Sequence, residues 1–327
     1  MADYRAPPWL PGGNLQTIWA ATVSRRHLGP PPLFTRERWA TPDGDFIHVD
    51  HLVGSATPLQ PLPLRHLVLF HGLEGSSVSQ YAQAFAAVAR QRGWAYSVPH
   101  FRGCSGEINL APRAYHSGDH EEIDWILRRL RARSASPLLV VGISLGGNAL
   151  LRWAQEAGET AAAIAAAVAA VSSPIDLAAA GHAIDRGFNW LVYSRMFLRT
   201  MKPRALAKWQ QHPGLFDRSK LAAARTLYEF DNVFTAPLHG YRDTPDYWQR
   251  ASAKPRLARI RIPALVLNAR NDPFVPAASL PTQRHVGQHV TLWQPAHGGH
   301  VGFPQGRPPG RVLAMPQAVS DWLDSHA

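Results

Sequence analysis

Short apolar runs alternate with amphipathic stretches along most of this 327-residue chain. The runs have the length of buried strands, and the stretches repeat apolar residues at helical spacing. Such alternation predicts a mostly parallel central sheet with helices on both faces, an α/β fold. The predicted strands span 34–40 and 46–53, which form an edge hairpin, then 66–70, 93–98, 138–141, part of 165–171, 263–268 and 290–293.

A capping box marks the start of one predicted helix. Asp119 and Glu122 have the spacing at which two side chains cap each other's backbone N–H groups. The apolar positions that follow repeat at helical spacing and would face the core: Ile123, Ile126, Leu127 and Leu130. Two further helices are predicted over 79–90 and over 316–323.

Three segments interrupt this alternation. Residues 7–17 are turn-rich and are not expected to form regular structure, and 54–64 are predicted to be a Pro-rich loop. From 176 to about 259 the chain is rich in Trp, Tyr, Arg and Pro. We interpret 1–327 as a single α/β domain that carries this third segment as an inserted helical lid.

One amphipathic helix is predicted in the inserted segment, over 189–202, with Pro203 ending it. Its apolar side would carry Trp190, Tyr193, Phe197 and Met201, and another side Arg195, Arg199 and Lys202. Such a helix suits a lid whose basic face contacts anionic lipid headgroups at a membrane. It also suits a lid whose aromatic side packs on the core while its charges are solvated. The sequence leaves both interpretations open.

Positive charge is concentrated in the same segment. The formal net charge is +11, and residues 177–260 hold 14 Lys and Arg against 6 Asp and Glu. Nucleic acid, an anionic membrane surface, acidic substrates or simple solubility would each suit such a block. No recognised nucleic-acid-binding module accompanies it, so we expect no nucleic-acid partner.

The compartment is predicted from what the sequence lacks. The single cysteine, Cys104, excludes a disulfide framework within the chain. No basic flank precedes an apolar stretch over 1–11, and the longest apolar run, 161–171, is far shorter than the roughly 20 residues of a membrane-spanning helix. We therefore expect a soluble, cytoplasmic protein.

The main candidate for chemistry is Gly142-Ile143-Ser144-Leu145-Gly146, which follows an apolar run and precedes an amphipathic stretch. In this strand–turn–helix context, Gly-x-Ser-x-Gly predicts a nucleophile elbow, a turn so tight that a Cβ at Gly142 or Gly146 would clash. The turn would place Ser144 Oγ at the amino end of the next helix. There the free N–H of Leu145 favours a developing negative charge.

A serine nucleophile needs a base that a carboxylate orients, and after an elbow the usual chain order is Ser, acid, His. Asp272 directly follows the seventh predicted strand and is the candidate acid. Two histidines follow the last strand. His300 is preferred to His297 as the base because two glycines let the backbone fold it over the elbow. The second oxyanion N–H is expected from Leu73, in the loop after the third strand.

Other reactive residue types lack a supporting pattern. Cys104 follows no elbow and is interpreted as a structural thiol, while His71 and His116 are expected to form local hydrogen bonds. We find no His, Cys and Asp cluster for a metal, and no phosphate-binding or dinucleotide-binding glycine motif. We therefore expect neither a cofactor nor a metal.

Motifs along almost the whole chain are similar to those of the YheT-like family of α/β-hydrolases. This family comprises bacterial relatives of membrane-associated eukaryotic abhydrolase-domain proteins. The matching motifs lie at 15–17 (Leu-Gln-Thr), 70–76, 101–106, 115–118, 142–148 and 298–303, and the most family-specific at 228–231, 235–241 and 246–248.

The resemblance implies an α/β-hydrolase fold and a triad of Ser144, Asp272 and His300. Two positions depart from the family pattern: Asn14 stands where a histidine is common, and Asn271 where a second acid often precedes Asp272. The family is described mostly as hydrolases of carboxylic esters, some with lipid substrates. We therefore expect a serine esterase that acts on a small ester or a lipid. The alternative is a non-catalytic lipid- or anion-binding module on a hydrolase scaffold.

Overall fold

The central sheet contains eight strands in the computed structural model, which describes residues 4–27, 29–54 and 65–327. They span Phe34–Ala40 (β1), Phe46–Leu52 (β2), His66–Phe70 (β3), Ala95–Pro99 (β4), Leu138–Ile143 (β5), Ala165–Val171 (β6), Ala264–Leu267 (β7) and Val290–Trp293 (β8). Their order across the sheet is β1-β2-β4-β3-β5-β6-β7-β8. The β1–β2 and β2–β4 pairs are antiparallel, and all other pairs are parallel. The predicted α/β architecture, with its edge hairpin, is confirmed.

The helices of the described chain are α1 to α12 in order: Gly13–Thr22, Gln80–Gln91, His120–Arg131, Leu145–Ala157, Leu177–Ile184, Gly187–Asn189, Arg195–Gln211, Arg218–Ala223, Leu227–Phe230, Ala236–Leu238, Thr244–Ala251 and Ala314–Asp324. Helices α3 and α4 pack on one face of the sheet, and α2 and α12 on the other. Alternate side chains of β5 enter the two cores, so every residue of this strand is buried. This explains why its sequence is apolar throughout.

Residues 176–259, hereafter the insertion, connect β6 to β7 and contain α5 to α11. Two π-helical turns, Trp190–Ser194 and Asp231–Thr235, join α6 to α7 and α9 to α10. The insertion also has an apolar cluster of its own, built around Leu198, Met201, Phe216, Leu221, Phe230 and Phe234.

Two local predictions within the described chain are wrong for electrostatic and packing reasons. Asp119 precedes α3 but caps no N–H with its side chain, since its carboxylate accepts hydrogen bonds from Arg113 Nη2 at 2.7 and 2.9 Å. Glu122 Oε2 accepts instead from Arg102 Nε at 2.6 Å. In these bonds both donor and acceptor are ionised, whereas a backbone N–H at a cap is neutral, so the arginines hold both carboxylates and the predicted capping box does not form.

Pro203 does not end the helix that was predicted before it, because α7 continues to Gln211. Proline removes one intrahelical hydrogen bond, but packing along the rest of α7 compensates, with Leu198, Met201, Ala205 and Lys208 all buried. The Pro-rich loop predicted for 54–64 lies, except for Gly54, outside the described residues.

Candidate active site

The nucleophile elbow predicted at Ser144 is the turn between β5 and α4. Ser144 has φ 52° and ψ −119°, a backbone conformation that residues with a side chain rarely adopt. A Cβ added to Gly142 would lie 2.5 Å from the Gly146 carbonyl oxygen, and one added to Gly146 would lie 2.5 Å from that of His71. Both contacts are far too short, so only glycine fits at these two positions.

Ser144, His300 and Asp272 come together in one hydrogen-bonded chain despite their distance in sequence. His300 Nε2 lies 3.0 Å from Ser144 Oγ, and His300 Nδ1 lies 2.9 Å from Asp272 Oδ2. The Asp272 side chain is completely buried, and that of His300 is 10% exposed. In this geometry a histidine can take a hydroxyl proton while a carboxylate holds the ring and its tautomer.

The turn after β7 fixes the Asp272 carboxylate. Its Oδ1 accepts hydrogen bonds from the N–H groups of Phe274 and Val275 at 2.8 and 3.2 Å. The Phe274 ring also packs against the His300 ring, with 4.1 Å between their centroids. His297, by contrast, is exposed and contacts Asn271, with 3.4 Å between His297 Nδ1 and Asn271 Nδ2.

Helix α1 supports the loop that carries His300. Since α1 begins at Gly13, the prediction of irregular structure over 7–17 is wrong from Gly13 onward. Thr17 Oγ1 accepts a hydrogen bond from the His300 N–H at 2.8 Å, and Gln16 Oε1 accepts one from the Gly298 N–H at 2.9 Å. Both α1 residues are buried. Sequence reasoning missed their role because Gly and Asn are poor helix formers. The Leu-Gln-Thr motif was the available signal.

Both departures from the family pattern lie in this same contact region. Asn271 Nδ2 donates to Gln16 Oε1 at 3.0 Å, while Asn271 Oδ1 accepts from the Gly299 N–H at 3.0 Å. Only an amide can donate and accept in this way, since an ionised carboxylate has no donor. Asn14 Oδ1 accepts from Tyr193 Oη at 2.8 Å and so joins α1 to the insertion.

Two backbone amides near Ser144 are available to stabilise an oxyanion. Leu145 is the first residue of α4, and Leu73 lies in the loop after β3. Within the described chain neither N–H donates to another group. The β3 loop lies against the elbow, since a Cβ added to Gly72 would lie 3.2 Å from Ser144 Cβ.

Hydrogen bonds hold this loop on both sides of Leu73. The N–H of Gly72 donates to Tyr81 Oη, and the N–H of Glu74 donates to Tyr115 Oη, both at 3.0 Å. His71 Nδ1 donates to the Gly72 carbonyl oxygen at 2.8 Å. Burial lowers the pKa of His71 to about 3, so the ring is neutral. Its predicted local hydrogen bond is confirmed.

Cys104 and His116 take no part in the hydrogen bonds that link Asp272, His300 and Ser144. Burial raises the pKa of the Cys104 thiol to about 12, so it stays protonated and is a poor nucleophile. His116 Nδ1 accepts a hydrogen bond from the Gly118 N–H at 3.1 Å, and burial lowers the pKa of this histidine to about 3.

A cavity of about 170 Å³ is lined by Ser144, His300, Leu73 and Leu145. Much of its apolar wall comes from the insertion, through Leu177, Ala180, Ile184, Phe197, Met201 and Phe230. Five charged side chains also line it: Glu74, Arg102, Arg204, Lys208 and Asp231. Ser144 and His300, at the strand ends, and the walls of the insertion therefore line one space.

Comparison with known proteins agrees with this fold. The α/β-hydrolase-fold family model matches residues 65–306. "Putative esterase YheT" of Escherichia coli K12 is 38% identical over 316 residues, which are 96% of this chain and 90% of YheT. The chain therefore belongs to the α/β-hydrolase family, in its YheT-like branch.

Two further proteins extend the comparison. "Phospholipase ABHD3" of Mus musculus is 29% identical over 90% of this chain and 72% of its own length. A solved structure of a thermophilic esterase from Thermogutta terrifontis superimposes with a TM-score of 0.51, covering 90% of this chain and all of the esterase at 16% identity. The esterase structure supports the fold alone.

In residues 4–27, 29–54 and 65–327, no helix is both long and apolar enough to cross a bilayer. Nor do three or more His, Cys, Asp or Glu residues converge there as a metal ion would require. The predicted cytoplasmic location stays a prediction.

Proposed function

We propose that this protein is a serine hydrolase that cleaves carboxylic esters, with Ser144, His300 and Asp272 as its catalytic triad. The observation that carries the proposal is the hydrogen-bonded chain from Asp272 Oδ2 through His300 to Ser144 Oγ, with distances of 2.9 and 3.0 Å. The strained backbone of Ser144 supports it, because such strain persists where a site requires it.

Acylation begins when Ser144 Oγ attacks the ester carbonyl carbon and its proton passes to His300 Nε2. Asp272 stabilises the imidazolium, and the amides of Leu73 and Leu145 bind the oxyanion. The bond from the carbonyl carbon to the alcohol oxygen then breaks, and the leaving alkoxide takes the proton from His300. Water attacks the acyl-enzyme with the same base and releases the acid and free Ser144.

An ester with an apolar acyl chain, in a small molecule or a lipid, is the proposed substrate class. The apolar walls beside Ser144 support this class, and the relatives named esterase and phospholipase agree with it. The insertion acts as a lid in this proposal, since Phe197 and Met201 of α7 line the cavity that also contains Ser144 and His300.

The alternative, a non-catalytic binding module on a hydrolase scaffold, explains less. Lipid binding would use the apolar walls but needs neither a base beside Ser144 nor a buried carboxylate beside that base. Retaining a completely buried Asp272 carboxylate has an energetic cost that binding alone does not require.

Active-site labelling by a fluorophosphonate probe tests the proposal. We expect stoichiometric labelling that vanishes in Ser144→Ala and persists in Ser325→Ala, a control at the distant C-terminal helix. Peptide mass spectrometry should place the adduct on the elbow. Thermal melting confirms that both variants are folded. Unlabelled but folded wild-type protein, without esterase activity, would favour the binding-module alternative.

A further inference from the structure

One wall of the cavity carries cationic groups that the proposed triad does not use. Arg204 and Lys208 lie four residues apart on α7, so their side chains leave the helix on the same face. Both line the cavity that contains Ser144. They therefore face the space in which a substrate would bind.

The Lys208 ammonium is buried without a carboxylate partner in the described chain. The residue is only 3% exposed, and its Nζ donates to the Asn109 carbonyl oxygen and, at 2.9 Å, to Gln211 Oε1. An ammonium has three N–H donors, so one remains without an acceptor. A buried charge with an unused donor is costly unless a ligand completes the site.

Arg204 also retains unused donors. Its Nη1 donates to Glu74 Oε1 at 3.1 Å and to Cys104 Sγ at 3.3 Å. Its Nε and Nη2 find no acceptor within the described ranges. Arg102 differs, because its side chain is 3% exposed and is held by three carboxylates, those of Asp43, Asp45 and Glu122. The cationic donors still available to a ligand thus belong to Arg204 and Lys208.

The two acidic side chains that line the cavity each have a partner already, and neither accepts the remaining N–H groups of Arg204 and Lys208. Glu74 pairs with Arg204, while Asp231 accepts a hydrogen bond from Trp248 Nε1 at 2.9 Å. The pKa of Lys208 is lowered to about 8, chiefly by burial, with Asp45 opposing the shift and Arg102 adding to it. The ammonium is therefore charged at neutral pH but loses its proton in mildly alkaline solution.

We propose that Arg204 and Lys208 form an anion-binding subsite, so that the preferred substrate carries a carboxylate or phosphate in addition to its ester. This inference rests on the proposed ester hydrolysis and names its substrate class. An anionic oxygen would accept the unused N–H of Lys208 and those of Arg204, and its charge would compensate the buried ammonium. The apolar walls of the rest of the cavity would contact the alkyl chain that links the substrate's ester to its anionic group.

Two matched substrate pairs test the subsite and distinguish a carboxylate from a phosphate as its anion. Mono-p-nitrophenyl suberate differs from p-nitrophenyl octanoate only by a terminal carboxylate, and 1-octanoylglycerol 3-phosphate differs from 1-octanoylglycerol by a phosphate. For each pair the ratio of kcat/KM, anionic to neutral, is measured in wild type, Lys208→Met, Arg204→Gln and Lys220→Met. The last is a control, since Lys220 is an exposed lysine of the insertion outside the cavity.

We expect the wild type to prefer the anionic member of at least one pair by about tenfold, and Lys208→Met to remove most of that preference. Arg204→Gln should reduce it and Lys220→Met should not. Raising the pH from 7 to 9 should lower the wild-type ratio as Lys208 deprotonates, a result that needs no variant to fold.

Failure of this inference and failure of the proposed function give different results. Ser144-dependent hydrolysis of the neutral esters, with no anionic preference in either pair, overturns the subsite alone. A preference that survives Lys208→Met and high pH also overturns it. Loss of all Ser144-dependent hydrolysis overturns the proposed function instead.

Discussion

Two regions meet at the cavity, the sheet with its strand-end loops and the insertion between β6 and β7, and they are built differently. Around Ser144 the backbone is so crowded that Gly142 and Gly146 cannot carry a Cβ. The insertion instead contains two π-helical turns and leaves Phe188, Leu191 and Met196 about half exposed.

Under the proposed function, this difference corresponds to separate tasks of the two regions. A reacting serine, base and acid must be held to a fraction of an ångström, which short strand-end loops on a buried sheet achieve. Walls that accept an apolar chain need shape and charge rather than such precision. Four predictions test this difference between the sheet with its loops and the insertion.

Replacing the proposed base should have the largest effect. His300→Ala should lower kcat for p-nitrophenyl butyrate by about 10⁴-fold or more, because triad members act as a unit. His297→Ala is the matched control in the same loop and should retain most activity, since its side chain is exposed and contacts Asn271 rather than Ser144. An inactive His297→Ala beside an active His300→Ala would reverse the assignment.

Removing the support that α1 gives to His300 should cost less. Thr17→Val deletes the acceptor of the His300 N–H while keeping the side-chain shape, and we expect kcat to fall by about 10–100-fold with a smaller change in KM. Thr17→Ser should restore most of the rate. Thr22→Val, at an exposed position of the same helix, is the control. A rise in KM as large as the fall in kcat would mean that α1 shapes substrate binding rather than the position of His300.

Narrowing the wall of the insertion should change chain-length preference. Ala180 lines the cavity and is 6% exposed, whereas Ala178 on the same helix is exposed. Ala180→Leu should lower kcat/KM for p-nitrophenyl dodecanoate about tenfold more than for the butyrate, and Ala178→Leu should not. Identical effects on both esters would place the acyl chain elsewhere.

Contact with lipid should give the smallest effect. Arg195 and Arg199 are exposed beside the apolar side chains of Leu191 and Met196, so we expect weak sedimentation with anionic vesicles that fades as salt rises. The double variant Arg195→Glu/Arg199→Glu should weaken it severalfold, and Arg284→Glu/Arg307→Glu should not. Absence of binding at low salt would favour the interpretation in which these charges are merely solvated.

The sequence alone determined the α/β architecture, the elbow and the three residues that the structure brings together. The spacing of hydrophobic residues reflects the local backbone geometry of strands and helices, so the positions of the eight strands could be predicted closely. The elbow was predicted from a five-residue motif, although its steric limits are only partly local: Gly142 is restricted by Gly146, and Gly146 by the His71 carbonyl oxygen. Chain order and strand-end position then pointed to Asp272, and the two glycines before His300 favoured it over His297.

Features that depend on contacts between separate elements could be seen only in the tertiary structure. Helix α1 is stable because Gln16 and Thr17 are buried against the His300 loop, almost 300 residues away in sequence, although local composition opposes a helix. The carboxylates of Asp119 and Glu122 bind Arg113 and Arg102, which lie outside their own helix, rather than the N–H groups at its start. The hydrogen bonds of Lys208, and hence its unused donor, depend on how α7 lies against the loop that carries Asn109. Local sequence encodes backbone limits, whereas the partners of a polar side chain depend on which elements the fold brings beside it.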